Sequence, residues 1–222
     1  MRMYPTIRAL PLLPGAWIAS LRSMDLDTAY GRSQRWSKRV IQWLGYRIEV
    51  KGQDQIHGIH GAYFVCNHQG TLDPVPILAT CGVPLSFISK KENANLPIMG
   101  RWAKKLGCIH FDRSSREGNI HMLREAVRIL KQDRNLLIFP EGTRSKGDAM
   151  HPFMVKSLQP ARIAKAPIVP VTISHCYGLD VPCKDPVIYV IYGKPLLYED
   201  YKNLDMNEVS NQLYAQIQAN IV

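Results

Sequence analysis

The sequence predicts an α/β fold: a mixed, largely parallel sheet flanked by helices, with an amphipathic helical extension at the N-terminus. Three observations predict it. Short apolar runs rich in β-branched and aromatic residues recur from residue 62 to residue 196, as strands do. Between them lie segments with helical periodicity and helix-start signals, and this alternation is what strands joined by helical crossovers produce. The composition is that of a folded chain: 222 residues, 46% hydrophobic and 21% charged, enough for one domain with a proper core.

Taken in order, the uncharged run 9–21, ALPLLPGAWIASL, lies between Arg8 and Arg22 and holds Pro11, Pro14 and Gly15. It is shorter than the roughly 20 apolar residues a span needs. It reads as an interfacial segment, with a core-packed arm and a signal peptide as the other readings; the two prolines break the apolar core a signal peptide requires. Residues 32–44, RSQRWSKRVIQWL, form a basic amphipathic helix. Trp36, Val40, Trp43 and Leu44 share one face, Arg32, Arg35 and Arg39 flank it, and Gly45 stops it. Tryptophans beside arginines suit an in-plane membrane helix, and equally a helix laying its aromatic face on a core. Domain organisation follows: a membrane-associating extension over 1–44 and a main domain over 45–222.

AYFVCN (62–67) is a strand, followed by a helix at PVPILATC with Asp73 placed to cap it. PLSFISK (84–90) is a strand. Ser114 or Ser115 caps a helix whose apolar face is Ile120, Leu123, Ala126, Val127 and Leu130. LLIFP (136–140), PIVPVTIS (167–174) and VIYVIYGKPL (187–196) are strands. A last helix opens with Asp205 and Glu208 in capping-box spacing and runs through Val209, Leu213, Ile217 and Ile221.

Charge limits the company. Lys and Arg number 28 against 18 acids, a net +10, which favours polyanions: an anionic membrane, a phosphorylated substrate or nucleic acid. The basic residues near the turns are not interleaved with exposed-looking aromatics, which speaks against nucleic acid. Five cysteines, an odd number without CxxC spacing, fit reduced buried thiols in a cytosol-facing protein.

Polar chemistry gathers at two strand ends, where α/β sheets build their sites. In VCNHQGTLDP (65–74), His68 has the pKa range for base work, and Asp73 could fix its tautomer if the turn brings it back against the ring. The plainer reading is a loop histidine and a capping aspartate. Cys66 as a nucleophile and a metal half-site completed by His57 and His60 are weaker readings, because a small thiol in an apolar strand is usually core and zinc wants three or four ligands in recognisable spacing. In FPEGTRS (139–145) a strand runs into a tight turn at Gly142, presenting backbone N–H groups beside Thr143 and Arg144. Such a nest with a guanidinium suits a phosphate monoester, and Glu141 could orient the arginine or a substrate hydroxyl. Arg113, leaving HFDRSS, and Lys90 add cations. No Walker loop or GxGxxG is present.

Together these residues resemble the glycerophospholipid acyltransferase family, specifically its bacterial 1-acylglycerol-3-phosphate acyltransferases. The blocks stand in the family's order: NHxxxxD at 67–73, GxIxxDR at 107–113, FPEGTRS at 139–145 and PIVPV at 167–171. GYRIEVKG (45–52) and FISKKE (87–92) are similar too. Two departures occur: Gly70 stands where the family usually has serine, and its Phe-Lys-x-Gly segment is replaced by PFMVKSLQPARIA, with Lys156 displaced.

The resemblance implies an acyltransferase in phospholipid biosynthesis. His68 would be the general base and Asp73 its partner; Lys90, Arg113, Glu141, Gly142, Thr143 and Arg144 would hold the glycerol phosphate. The donor would be acyl-CoA or acyl carrier protein, with no cofactor and no metal. The acceptor would be a lysophospholipid, and the location the cytoplasmic face of the cell membrane, peripheral or monotopic. Alternatives are another lysophospholipid or a lyso-aminolipid as acceptor, a non-catalytic protein that binds anionic lipid, and a thioesterase using Cys66.

Overall fold

Seven strands join in one sheet of order β1-β7-β6-β2-β5-β3-β4. They are β1 (Arg47–Lys51), β2 (Tyr63–Cys66), β3 (Leu85–Lys90), β4 (Ile109–Phe111), β5 (Asn135–Ile138), β6 (Ile168–Ser174) and β7 (Val187–Tyr192). Every neighbouring pair is parallel except β6 and β7. The chain's computed structural model describes residues 10–179 and 186–222. The expected mixed, largely parallel sheet is therefore present. Cys183 lies outside the described residues.

The central strands β2, β5 and β6 are buried along their whole length, while the edge strand β1 alternates. That contrast follows from helices on both faces, which leave a parallel strand no solvent side. Successive residues feed two cores. Phe64, Cys66, Leu137, Val169 and Val171 point to one; Tyr63, Val65, Leu136, Ile138 and Ile168 point to the other.

The helices are α1 (Leu13–Leu21), α2 (Leu26–Leu44), α3 (Pro74–Thr80), α4 (Met99–Lys105), α5 (Arg116–Lys131), α6 (Gln159–Ala164), α7 (Tyr198–Tyr201) and α8 (Met206–Ala219). Pro14 does not break α1, because it sits in the first turn, where its missing N–H has no partner to lose. Asp25 caps α2 by accepting from the Thr28 amide at 2.8 Å, and Gly45 closes it at φ 82°. Ser115 caps α5 through Gly118 N at 2.8 Å, and the Asp205/Glu208 capping box opens α8.

Two helical faces differ from expectation. On α2 the buried residues are Ala29, Tyr30, Ser33, Ser37, Ile41 and Leu44, and Trp43 is 52% exposed. Trp36 packs under Gly15 of α1 instead of onto the sheet. The inner face, which packs against α3, mixes small Ala29, Ser33 and Ser37 with Tyr30, Ile41 and Leu44. On α5 the buried face is Met122, Ala126, Ile129 and Leu130, and Ile120 is exposed. Here Met122 and Ile129, absent from the expected stripe, move its centre around the helix.

α3 is held from its C-terminal end. Tyr30 Oη and Gln34 Nε2, both from α2, donate to the Cys81 carbonyl at 2.7 and 2.9 Å. Gln53 Nε2 donates to Thr80 O at 2.5 Å, and the Tyr192 hydroxyl lies 2.8 Å from Thr80 Oγ1. The last carbonyls of a helix lack internal partners, so side chains from three elements satisfy them here. Tyr30→Phe should cost about 1 kcal/mol of stability, because Gln34 still satisfies the carbonyl. Adding Gln34→Ala should cost about 1–3 kcal/mol more by leaving a buried acceptor unpaired. Urea unfolding monitored by tryptophan fluorescence measures both.

Candidate active site

β2 ends at Cys66, and its ladder is continued by a side chain. Asn67 Nδ2 donates to Ile173 O at 2.9 Å, while Asn67 Oδ1 accepts from Ile173 N at 2.8 Å. This pair fixes the exit of β2 against β6. The chain then turns back through 68–72, and Asp73 arrives beside the ring of His68, with Asp73 Oδ2 at 2.6 Å from His68 Nδ1.

Asp73 does not cap α3. Its backbone is already helical and its side chain makes no cap bond. Its carboxylate points back instead, Oδ2 accepting from Gln69 N at 2.7 Å and Oδ1 from Gly70 N at 2.9 Å. Asp73 is fully buried, and a buried carboxylate without donors would be costly, so these amides and the imidazole complete its shell. With Nδ1–H given to Asp73, His68 is the tautomer whose Nε2 lone pair is open to accept a proton. The ring stacks on Phe139 at 4.2 Å and 19°, and its side chain is 18% exposed.

β5 delivers the second turn. Glu141, expected to face an arginine or a substrate, is 5% exposed and braces the backbone. Oε1 accepts from His68 N at 2.6 Å and Oε2 from His151 N at 2.7 Å. Burial pushes its carboxyl pKa up, opposed by those two amides and by the nearby His68 and His151 rings. Gly142 lies at φ 70°, where a Cβ would also overlap the Met154 methyl. Thr143 and Arg144 are exposed beyond it.

Three turns are tied together. Arg113 Nη1 donates to Gly142 O, and Arg144 Nη1 donates to Thr71 Oγ1. Arg113 has a buried Nε without a partner, and its guanidinium lies 5.7 Å from the Phe111 ring. Burial lowers its pKa, with Glu92 opposing, and no carboxylate forms a salt bridge to it among the described residues. A half-buried cation without a salt-bridged carboxylate, beside a glycine turn, is a place for an anion. Lys90 is exposed at the end of β3, paired in register with Phe111.

Gln69 was given no role by sequence reasoning, although it lies inside the NHxxxxD block. It is fully buried, with Nε2 donating to Asp148 Oδ1 at 2.8 Å and Oε1 accepting from Cys176 N at 2.9 Å. The end of FPEGTRS and the residue after it fold over the site: Ser145 N donates to His68 O at 2.8 Å and Lys146 N to Gln69 O at 3.1 Å. Met154, not a lysine, covers Gly142, and Lys156 is exposed on the turn Val155–Leu158. Cys66 is fully buried, and burial pushes its thiol pKa up, with Asp73 and Glu141 adding to the shift. A thiol kept protonated in a core is no nucleophile. His57 and His60 are exposed. Among the described residues no three metal-ligating side chains come together.

A protein-family model described as Acyltransferase matches residues 47–174. A lyso-ornithine lipid O-acyltransferase of Pseudomonas aeruginosa is 31% identical over 163 residues, covering 73% of this chain and 58% of that protein. A 1-acyl-sn-glycerol-3-phosphate acyltransferase of Escherichia coli is 28% identical over 137 residues, covering 61% of this chain and 56% of that protein. The chain thus spans less than two thirds of the curated relatives it matches. The crystal structure of a 1-acyl-sn-glycerophosphate acyltransferase from Thermotoga maritima superposes with a TM-score of 0.77 at 23% identity, covering 96% of this chain and 88% of that one, which shows a shared fold. The matched span contains the His68–Asp73 pair, Arg113 and the Glu141–Arg144 turn, and the chain belongs to the acyltransferase family.

Proposed function

We propose that the chain transfers an acyl group from acyl-CoA or acyl carrier protein to the free hydroxyl of 1-acylglycerol 3-phosphate, giving phosphatidic acid. The observation that carries this reading is a histidine with its tautomer fixed by a buried carboxylate, on a turn joined to Arg144 through Thr71 and, through Glu141, to the Gly142 turn that Arg113 bonds. Family membership supports acyl transfer. Arg113, with a buried unpartnered Nε and no salt bridge among the described residues, supports an anionic acceptor.

In the proposed reaction His68 Nε2 takes the acceptor's hydroxyl proton as its oxygen bonds to the thioester carbonyl carbon. Asp73 stabilises the imidazolium that forms. The tetrahedral intermediate collapses, the carbon–sulfur bond breaks, and the thiolate leaves with the electron pair. The thiol is completed by the proton held on His68, so no second acid is needed. Arg113 and Arg144 hold the phosphate, and Lys90 completes that charge from the neighbouring strand end. Glu141 and Gln69 keep the turns in register. The enzyme works from the cytoplasmic face of a membrane; no described helix is long and apolar enough to cross one.

A second reading changes only the acceptor, to a lyso-aminolipid without phosphate. Met154, an uncharged thioether lying on the Gly142 turn, favours it. So does the name of the Pseudomonas aeruginosa relative.

His68→Ala should lower acceptor-dependent thiol release from palmitoyl-CoA by about a hundredfold to ten-thousandfold, with the fold intact by circular dichroism. A variant keeping more than half the activity would sink the mechanism. Acceptor-independent release would indicate a thioesterase, and lipid binding without turnover on any donor a non-catalytic protein. Arg113→Ala and Arg144→Ala should raise the KM for 1-acylglycerol 3-phosphate by about tenfold to a hundredfold and leave the donor KM within a few-fold. An acceptor panel decides the second reading: a preferred lyso-aminolipid whose KM ignores Arg113→Ala would replace phosphate as the headgroup.

A further inference from the structure

Thirteen large hydrophobic side chains are exposed among the described residues, and six of them belong to two adjoining segments. Four are on α1: Leu13, Trp17, Ile18 and Leu21, exposed by 41, 37, 58 and 58%. Their spacing, i, i+4, i+5 and i+8, puts them on one face. Ser20, beside Leu13 at the edge of that face, is buried, and Gly15, away from it, lies on Trp36 of α2. The other two, Leu96 and Met99, stand at the start of α4, within residues 45–222.

α1 and α4 are fastened to each other. Trp102 Nε1 donates to Ala16 O at 3.2 Å, Lys105 Nζ donates to Arg22 O at 2.7 Å, and the Arg101 guanidinium lies 4.3 Å over the Trp17 ring. Leu96 and Met99 therefore stand, exposed, on the segment that these three contacts join to α1. Lys91, Arg101 and Lys104 rim the patch, together with Arg22 and Lys105; Glu92 is the acid among them. None of these five cations has a carboxylate within salt-bridge distance among the described residues.

We propose that α1 and residues 91–105 form one bilayer-docking surface whose partner is an anionic lipid leaflet, so that membrane contact is not confined to the N-terminal extension. The chemistry separates a lipid surface from a protein one. An apolar stripe with arginine stacked on a tryptophan ring and lysines at its border matches an in-plane helix at the headgroup level. Each cation gains from an anionic leaflet. The placement also serves the proposed function, on which this deepening rests: residues 91–95 follow Lys90 directly, and Glu92 is near enough to Arg113 to act on its charge. The leaflet would then border the anion-binding edge of the sheet, where a lysolipid arrives.

The test is flotation of the full chain with phosphatidylcholine vesicles, with and without phosphatidylglycerol. Wild type should float, more strongly with the anionic lipid. Leu96→Asp with Met99→Asp should weaken partition about tenfold or more, comparably to Ile18→Asp with Leu21→Asp. Arg101→Glu with Lys104→Glu, both exposed and so without risk to the core, should remove the preference for anionic vesicles. Wild-type flotation by the Leu96/Met99 variant, or an unchanged lipid preference in the charge variant, would overturn the proposal. So would unchanged partition accompanied by a raised KM for acyl carrier protein, which would mark a protein surface. Flotation needs no turnover, and a parallel assay with short-chain soluble donor and acceptor reads the acyltransferase function separately; the Leu96/Met99 variant should match wild type there.

Discussion

The Asp73 carboxylate is the interaction on which the rest of the site depends. It is fully buried and receives the His68 ring nitrogen and the Gln69 and Gly70 amides. Those donors come from three consecutive residues of the turn, 68 to 70, so one side chain folds the loop and aims the imidazole together. An apolar side chain would leave two backbone amides without their acceptor and the ring without its tautomer, and asparagine would put an NH2 donor where one of the two oxygens accepts. The loop geometry and the proposed base are therefore one constraint.

That constraint needs a rigid support at both ends, and the sheet supplies it. At the front, Asn67 fastens the end of β2 to β6, and Glu141 joins the His68 amide to the turn after β5. At the rear, α3 is gripped by Tyr30, Gln34, Gln53 and Tyr192. α3 has only seven residues, too short to hold itself together in water. Its position is thus decided by α2, and residues of α2 belong to the same core as β2 and β6.

The sequence made the sheet legible because its central strands are apolar on both faces and its helices carry ordinary caps. Both turns were legible as strand ends with polar residues, and the family blocks named nearly every residue in them. What was not legible has identifiable causes. Asp73 precedes a proline-led helix, so local spacing favours a cap; only the close return of the 68–70 backbone claims its oxygens. Glu141 faces the interior because the His151 amide, ten residues later, folds over it, a contact with no local signature. The tryptophans of α2 divide between α1 and the surface because the face centred on Ala29, Ser33, Ser37 and Ile41 is the one that meets the core. Short elements such as α4 and α6 carry too few periodic residues to announce themselves.

The two arginines show how structural bonding and binding can share one group. Arg113 gives one nitrogen to the Gly142 carbonyl and Arg144 one to the Thr71 hydroxyl, so each is oriented by the turn it faces. A guanidinium has five N–H donors, and a single protein bond leaves most of its fork for an anion. Fixing the fork in advance lowers the entropy lost when an acceptor binds. Arg113 pays a desolvation cost for this, since its Nε is buried without a partner and no carboxylate forms a salt bridge to it among the described residues. An anionic headgroup would recover that cost on arrival, and it would do so one short turn away from the imidazole that must meet the acceptor's hydroxyl.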